Sequence, residues 1–270
     1  MEQKPDKKQK LTKIFTKLVL PLMACAVLLY SSCRKTDLAP APVTKADQNT
    51  NSSTAPSNEA LSKQIVANFA HSLSGNYGSA SMMKGIDSLN LAGHKGIESS
   101  LLCGLFTDSL VDRTAKQGDT TSHLGGHLTF SFNCDNGKPT GYSAYDSLAT
   151  TRQLPNGWYQ FYYIKQAYTI KCLDDKHEFI GVNGDNYFYQ YMNLICDCGK
   201  NAIDIENCNF VLHDLKIDVC KKDILSGTAD FTANGEGWHV TGTLIFIGNH
   251  LANVTIGGNT FQIDTRDFSW

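Results

Sequence analysis

The stretch WYQFYYIKQAYTI occupies residues 158–170 and decides the fold class. Successive side chains of a β-strand point to opposite faces, so a strand with one buried face repeats its large apolar residues at every second position. That period is met here by Trp158, Tyr162, Ile164, Tyr168 and Ile170. The stretch therefore predicts a β-strand with these residues on one face.

The same period continues from about Thr120 to the end of the chain, interrupted by sites that predict tight turns. Glycine and asparagine tolerate the positive φ that hairpin turns require. The predicted turn sites are Asn136-Gly137, Asn156-Gly157, Asn183-Gly184-Asp185, Asn234-Gly235, Gly248-Asn249 and Gly257-Gly258-Asn259.

Three further strand-like runs lie between these turns. The first has one parity at Ile203, Ile205, Val211, Leu215, Ile217 and Val219, whereas Phe210 and Leu212 have the other, which indicates a bulge or a turn. The other two alternate at Trp238, Val240, Leu244 and Phe246, and at Val254, Ile256, Phe261 and Ile263. We therefore predict a mainly β domain, an antiparallel β-meander that forms a barrel or a sandwich.

One helix is predicted ahead of the meander. Ser57 or Asn58 can cap it, and Glu59 falls in its first turn. Leu61, Ile65, Val66 and Phe69 recur at helical spacing, and Ser74-Gly75-Asn76 ends the pattern. The sequence also allows a second, short helix over residues 96–103.

The N-terminal 32 residues have the pattern of a secretory signal peptide. Six lysines in the first 17 residues precede the uncharged run LVLPLMACAVLLY. Thirteen helical residues span roughly 20 Å, too short for a bilayer core of about 30 Å, so a permanent membrane span is not expected. Ordinary cleavage after Ala24-Cys25-Ala26 would leave a short apolar core, Leu18 to Met23.

Ser31-Ser32-Cys33 ends the apolar run and resembles the lipobox of bacterial lipoproteins, with Tyr30 where an aliphatic residue is usual. This resemblance implies acylation of Cys33, which becomes the first residue of the mature chain. Arg34 follows, where aspartate often marks inner-membrane retention in Gram-negative lipoproteins, so the resemblance favours an outer-membrane lipid anchor. The alternative location is the periplasm, or secretion.

Residues 33–58 are predicted to be the lipidated cysteine and a disordered tether, because they contain no aromatic residue and three prolines. As a coil, the tether spans roughly 25–30 Å. Residues 59–270 are predicted to be a single mainly β domain. Removal of residues 1–32 leaves 18 Lys+Arg and 24 Asp+Glu, a net charge of −6, which argues against binding to nucleic acid.

This layout, together with residues 118–148 and 226–258, resembles exported Gram-negative lipoproteins of an uncharacterised family. The resemblance covers much of the chain but includes no catalytic residue, so it implies only topology and location.

Seven cysteines remain beside Cys33, and an exported compartment favours disulfides. The candidate disulfide cysteines are Cys196, Cys198, Cys208 and Cys220. A zinc site from these four is disfavoured by their spacing of one, nine and eleven residues.

His123 and His127 would face one side of a strand, but a third metal ligand is unassigned. We therefore predict no metal and no cofactor.

Aromatic residues are dense in WYQFYY (158–163) and YFYQY (187–191). Tyr159 and Tyr163 have the parity opposite to Tyr162 and Tyr168, so some rings are expected on the outer face.

No G-x-S-x-G elbow, P-loop or H-E-x-x-H occurs. We expect a binding or scaffolding role at the cell envelope with a glycan, lipid-like or envelope-protein ligand; the alternative is a hydrolase of an envelope or extracellular polymer.

Overall fold

The computed structural model describes residues 56–74, 102–174, 176–195 and 201–267. Residues Ser53–Trp270 form one compact unit. The predicted signal peptide, most of the tether and the start of the second predicted helix lie outside the described residues, so these remain predictions. Within the described ranges, no helix combines the length and the hydropathy needed to cross a bilayer.

The described fold is one helix followed by an antiparallel β-meander, as predicted, and the meander has ten strands. Helix α1 spans Asn58–Ser74. The strands are β1 Phe106–Gln117, β2 Thr120–Asp135, β3 Lys138–Gln153, β4 Tyr159–Cys172, β5 Phe179–Ile195, β6 Asn201–Asp218, β7 Asp223–Gly235, β8 Trp238–Gly248, β9 Leu251–Ile256 and β10 Asn259–Asp264.

The strands form a single sheet in sequence order, in which each strand pairs with the next. β1 and β10 lie at its two edges, so the sheet is not closed into a barrel. No second sheet packs on it among the described residues, so the expectation of a barrel or a sandwich is wrong. Alternation along a strand shows that one face is buried, but it does not show whether a sheet or a helix covers that face.

Helix α1 covers the buried face, which we call the inner face. The helix begins where the sequence predicts, because the Ala60 backbone N–H donates to Ser57 Oγ at 3.2 Å. Phe69 is 2 % exposed. Its ring centroid lies 5.2 Å from that of Phe210 on β6 and 5.3 Å from that of Phe246 on β8. The helix also contacts β5, β9 and β10, and it thus crosses much of the sheet.

Four of the six predicted turn sites lie at connections between strands, and two do not. Asn136 and Gly137 have φ of 48° and 75° and join β2 to β3. Asn234-Gly235 are the last residues of β7, and the turn to β8 is Glu236-Gly237. Asn183-Gly184-Asp185 instead lies inside β5, at a register shift. Gly184 has φ of 147°, and a Cβ there would lie 2.0 Å from the carbonyl oxygen of Ala167. Glycine is needed at this position because of a close approach between strands, which gives the same sequence signal as a turn.

The inward parity of β6 differs from the prediction. Phe210 and Leu212 are buried, whereas Ile203 and Ile205 point outward and are 47 % and 38 % exposed. A register irregularity between His213 and Lys216 reverses the parity, so that Leu215 and Ile217 point inward again. The predicted bulge exists, but it lies a few residues later than the sequence indicated.

Candidate functional site

Six aromatic side chains lie together on the outer face of β4 and β5. They form three pairs across the two strands, with ring centroids 6.0–6.3 Å apart. We call this set the aromatic ladder; its pairs are Tyr159–Tyr191, Phe161–Tyr189 and Tyr163–Tyr187.

Strand parity places these rings outside. On β4, Ile164, Gln166 and Tyr168 are buried on the inner face, so the odd-numbered residues point outward. In the register, Phe161 lies opposite Tyr191. The right-handed twist of the sheet brings each ring closer to the diagonal neighbour instead. Tyr159 is 38 % exposed and the other five rings are half-buried.

Hydrogen-bonding groups surround the aromatic ladder. The hydroxyls of Tyr163 and Ser147 lie 3.0 Å apart. Asn207 on β6, opposite Tyr189, accepts a hydrogen bond from Asn234 on β7 at 2.8 Å. Partial burial and the neighbouring Tyr189 and Tyr163 raise the pKa of Tyr187, which therefore stays a neutral hydrogen-bond donor at physiological pH.

A shallow depression of about 270 Å³ lies beyond the Tyr163–Tyr187 pair of the ladder. Its outward-pointing lining is mostly small and polar: Phe106, Thr129, Ser131, Ser143, Tyr145, Ala167 and Thr169. Ala167 is two outward positions beyond Tyr163 on β4, so the depression continues the ladder along the strands. We call the ladder and the depression together the outer strip.

The aliphatic side chains of Ile203 and Ile205 on β6 extend the aromatic ladder at its Tyr159–Tyr191 end. In the register, Ile205 lies opposite Tyr191, and Ile203 lies opposite Asn193. These isoleucines were predicted to lie on the same face as Leu215, and the bulge explains why they do not. The exposed apolar surface is therefore larger than the sequence indicated.

The structure separates the two histidines that could have shared a metal. His123 Nε2 lies 2.9 Å from Asp112 Oδ1, and His127 contacts Asp108 instead. Four residues along a strand correspond to about 13 Å, so the two imidazoles do not meet at one ion. Within the described ranges, no group of three or more His, Cys, Asp and Glu residues could hold a metal.

The cysteines are distributed differently from the candidates named above. Cys103 and Cys134 form a disulfide, with their Cα atoms 5.8 Å apart. Cys208 is a buried free thiol and Cys220 an exposed one. Cys33, Cys196 and Cys198 lie outside the described residues. The lipidation of Cys33 and the pairing of Cys196 and Cys198 therefore stay predictions, whereas Cys208 and Cys220 form no disulfide in the structure.

The thiol of Cys208 lies beneath α1, close to a buried carboxylate. Its Sγ is 3.8 Å from Glu206 Oε1, and Glu206 accepts hydrogen bonds from Gln64 and Asn68 at 2.9 and 2.7 Å. Burial, followed by the charge of Glu206, raises the pKa of Cys208, so this thiol is a poor nucleophile. Glu206 is 3 % exposed and cannot reach a polymer, so it gives no support to a hydrolase.

No protein-family model, no curated protein and no solved structure matches this chain. The outer strip is therefore the candidate site on its own geometry.

Proposed function

We propose that this protein is anchored by lipid at Cys33 in the outer membrane and that its β domain binds a ligand of the cell envelope through the outer strip. The aromatic ladder carries the proposal. The inner core is already filled by α1 and the inward residues of the sheet, so packing of that core does not require six rings on the opposite face. Exposed aromatic clusters of this kind mark binding surfaces.

Two further observations support an exported location. The basic start, the apolar run and Ser31-Ser32-Cys33 support secretion and lipidation. The Cys103–Cys134 disulfide supports an oxidising compartment, because disulfides are rare where thiols are kept reduced. A tether between Cys33 and α1 would let the domain face its ligand away from the lipid surface.

The anchor is tested by the intact mass of the protein purified from membranes. We expect the mass of residues 33–270 plus diacylglyceryl and acyl groups. The variant Cys33→Ser should lose the added mass and leave the membrane fraction. An unmodified wild-type mass would overturn the lipid anchor and would favour a periplasmic or secreted protein.

The binding role is tested with envelope fragments from which lipids have been removed by detergent. The full-length protein in the same detergent should sediment with these fragments. The variant Phe161→Ala should sediment less than wild type, because it removes the middle of the ladder. As a matched control, Ile245→Ala changes an exposed side chain on β8, away from the strip, and should sediment like wild type. Failure of wild type to sediment would overturn the binding role.

A further inference from the structure

We infer that the ligand of the outer strip is an uncharged glycan chain, which lies along β4 and β5. This inference rests on the proposed binding function and names its ligand class. Three properties of the strip lead to it: its length, its lack of acidic charge along the ladder and its mixture of ring faces with hydroxyl and amide groups.

The length of the strip fits a polymer. Residues at alternate positions of a strand are about 6.8 Å apart, so the outward positions from Tyr159 to Thr169 on β4 cover about 34 Å. Sites for single small molecules are enclosed pockets that bury most of the ligand. The depression here is open and shallow, with Phe106 at its edge 65 % exposed. A chain that contacts several outward positions in turn suits this shape better than one small molecule or an acyl chain.

The charge of the strip selects an uncharged partner. The outward residues of the ladder on both strands include no carboxylate. Beyond the ladder, Lys165 on β4 and the exposed Asp185 on β5, opposite Ala167, carry opposite charges that offset each other. Tyr187 is neutral, as its raised pKa requires. The predicted mature chain has a net charge of −6 and therefore repels polyanions. A neutral polymer has no such barrier and loses no ionic hydration when it binds.

The chemistry of the strip matches the two kinds of surface on a sugar ring. A pyranose has an apolar C–H face, which packs on the face of an aromatic ring, and a rim of hydroxyls, which require hydrogen-bonding partners. The rings of Tyr163 and Tyr189 supply the first surface. The phenol hydroxyls, Ser147 and Asn207 supply the second, and all of them lie on the same face.

The inference is tested by native gel electrophoresis of the full-length protein in gels that contain one neutral polysaccharide each: hydroxyethyl cellulose, galactomannan, xyloglucan or laminarin. A polyoxyethylene detergent keeps the lipid anchor in solution without a sugar headgroup that would compete. Heparin serves as the charged comparison. We expect at least one neutral polysaccharide to retard the protein and heparin not to do so.

Variants of one ring from each strand locate the binding surface. Tyr163→Ala and Tyr189→Ala should each weaken retardation by about tenfold or more, the loss expected when a stacked ring is removed. Tyr163→Phe and Tyr189→Phe keep the ring and should lose less than about threefold, which also guards against an alanine variant that misfolds. Ile245→Ala should bind like wild type. Equal retardation of the alanine variants and wild type would overturn the assignment to this strip.

Failure of this inference can be distinguished from failure of the proposed function. If the wild-type protein sediments with envelope fragments but no neutral polysaccharide retards it, the glycan is wrong and the binding role stands. If protease treatment of the fragments abolishes sedimentation, the partner is a protein and the glycan is again overturned. If the protein binds neither fragments nor polysaccharides, both proposals fall.

Discussion

Replacement of Phe69 by alanine tests whether α1 is the element that buries the inner face of the sheet. Phe69 is 2 % exposed and contacts the rings of Phe210 and Phe246 on strands that are not neighbours. Truncation of a buried phenylalanine to alanine costs about 3–5 kcal/mol of unfolding free energy. The higher helix propensity of alanine returns roughly 0.5 kcal/mol. We therefore expect Phe69→Ala to lower the free energy of unfolding by about 3–4 kcal/mol.

The assay is equilibrium unfolding in urea, followed by far-ultraviolet circular dichroism and tryptophan fluorescence. With a slope of about 3 kcal/mol per molar, the unfolding midpoint should fall by about 1 M. Lys63→Ala is the matched control on the same helix, because Lys63 forms an exposed ion pair with Glu59 at 2.9 Å. Loss of such a pair costs about 0.5 kcal/mol or less. If Phe69→Ala changed stability no more than Lys63→Ala does, α1 would not be packed on the sheet.

Two further predictions concern Glu206 and the disulfide. Burial raises the pKa of Glu206 despite the hydrogen bonds that it accepts, so the native state binds its proton more tightly than the unfolded chain does. Wild type should therefore lose stability relative to Glu206→Gln as pH rises from the unfolded-state pKa, about 4.3, through the higher native pKa. The urea midpoints of the two proteins, measured from pH 4 to 8, should show this loss. A difference between the midpoints that stays constant with pH would contradict the prediction. The Cys103–Cys134 disulfide closes a sequence separation of 31 residues, so reduction should lower the unfolding free energy by about 3.5 kcal/mol, and unchanged midpoints with and without reductant would refute this.

Local sequence signals predicted the elements whose causes are local. The helix was predictable because its cap and its apolar period lie within one segment, and Asn136-Gly137 because two adjacent residues determine that turn. Strand β1 was missed, since it lies at an edge and most of its side chains are exposed. An exposed strand has no apolar alternation to detect.

Features that depend on distant residues were not predictable. The sequence indicated that Tyr159 and Tyr163 point outward, and they do, but it did not show that Tyr189 lies beside them. That neighbourhood requires the β4–β5 register, in which Tyr163 lies opposite Tyr189. Register depends on pairing between strands, and a shift of one residue would move every side chain to the other face. Each half of the ladder was therefore visible in the sequence, but its assembly was not.

Three hydrogen bonds between polar side chains and α1 fix the position of the helix on the inner face of the sheet. Gln166 on β4 donates to the backbone oxygen of Ser72 at 2.8 Å, and Asn186 on β5 donates to Ser72 Oγ. Asn68 of the helix donates to Glu206 on β6 at 2.7 Å. Apolar contacts tolerate sliding, but hydrogen bonds require fixed distances and angles, so these three contacts hold the helix in one place over the strands. With the inner face covered in this way, the rings on the outer face have no core to fill, which is the basis of the proposal that they bind a ligand.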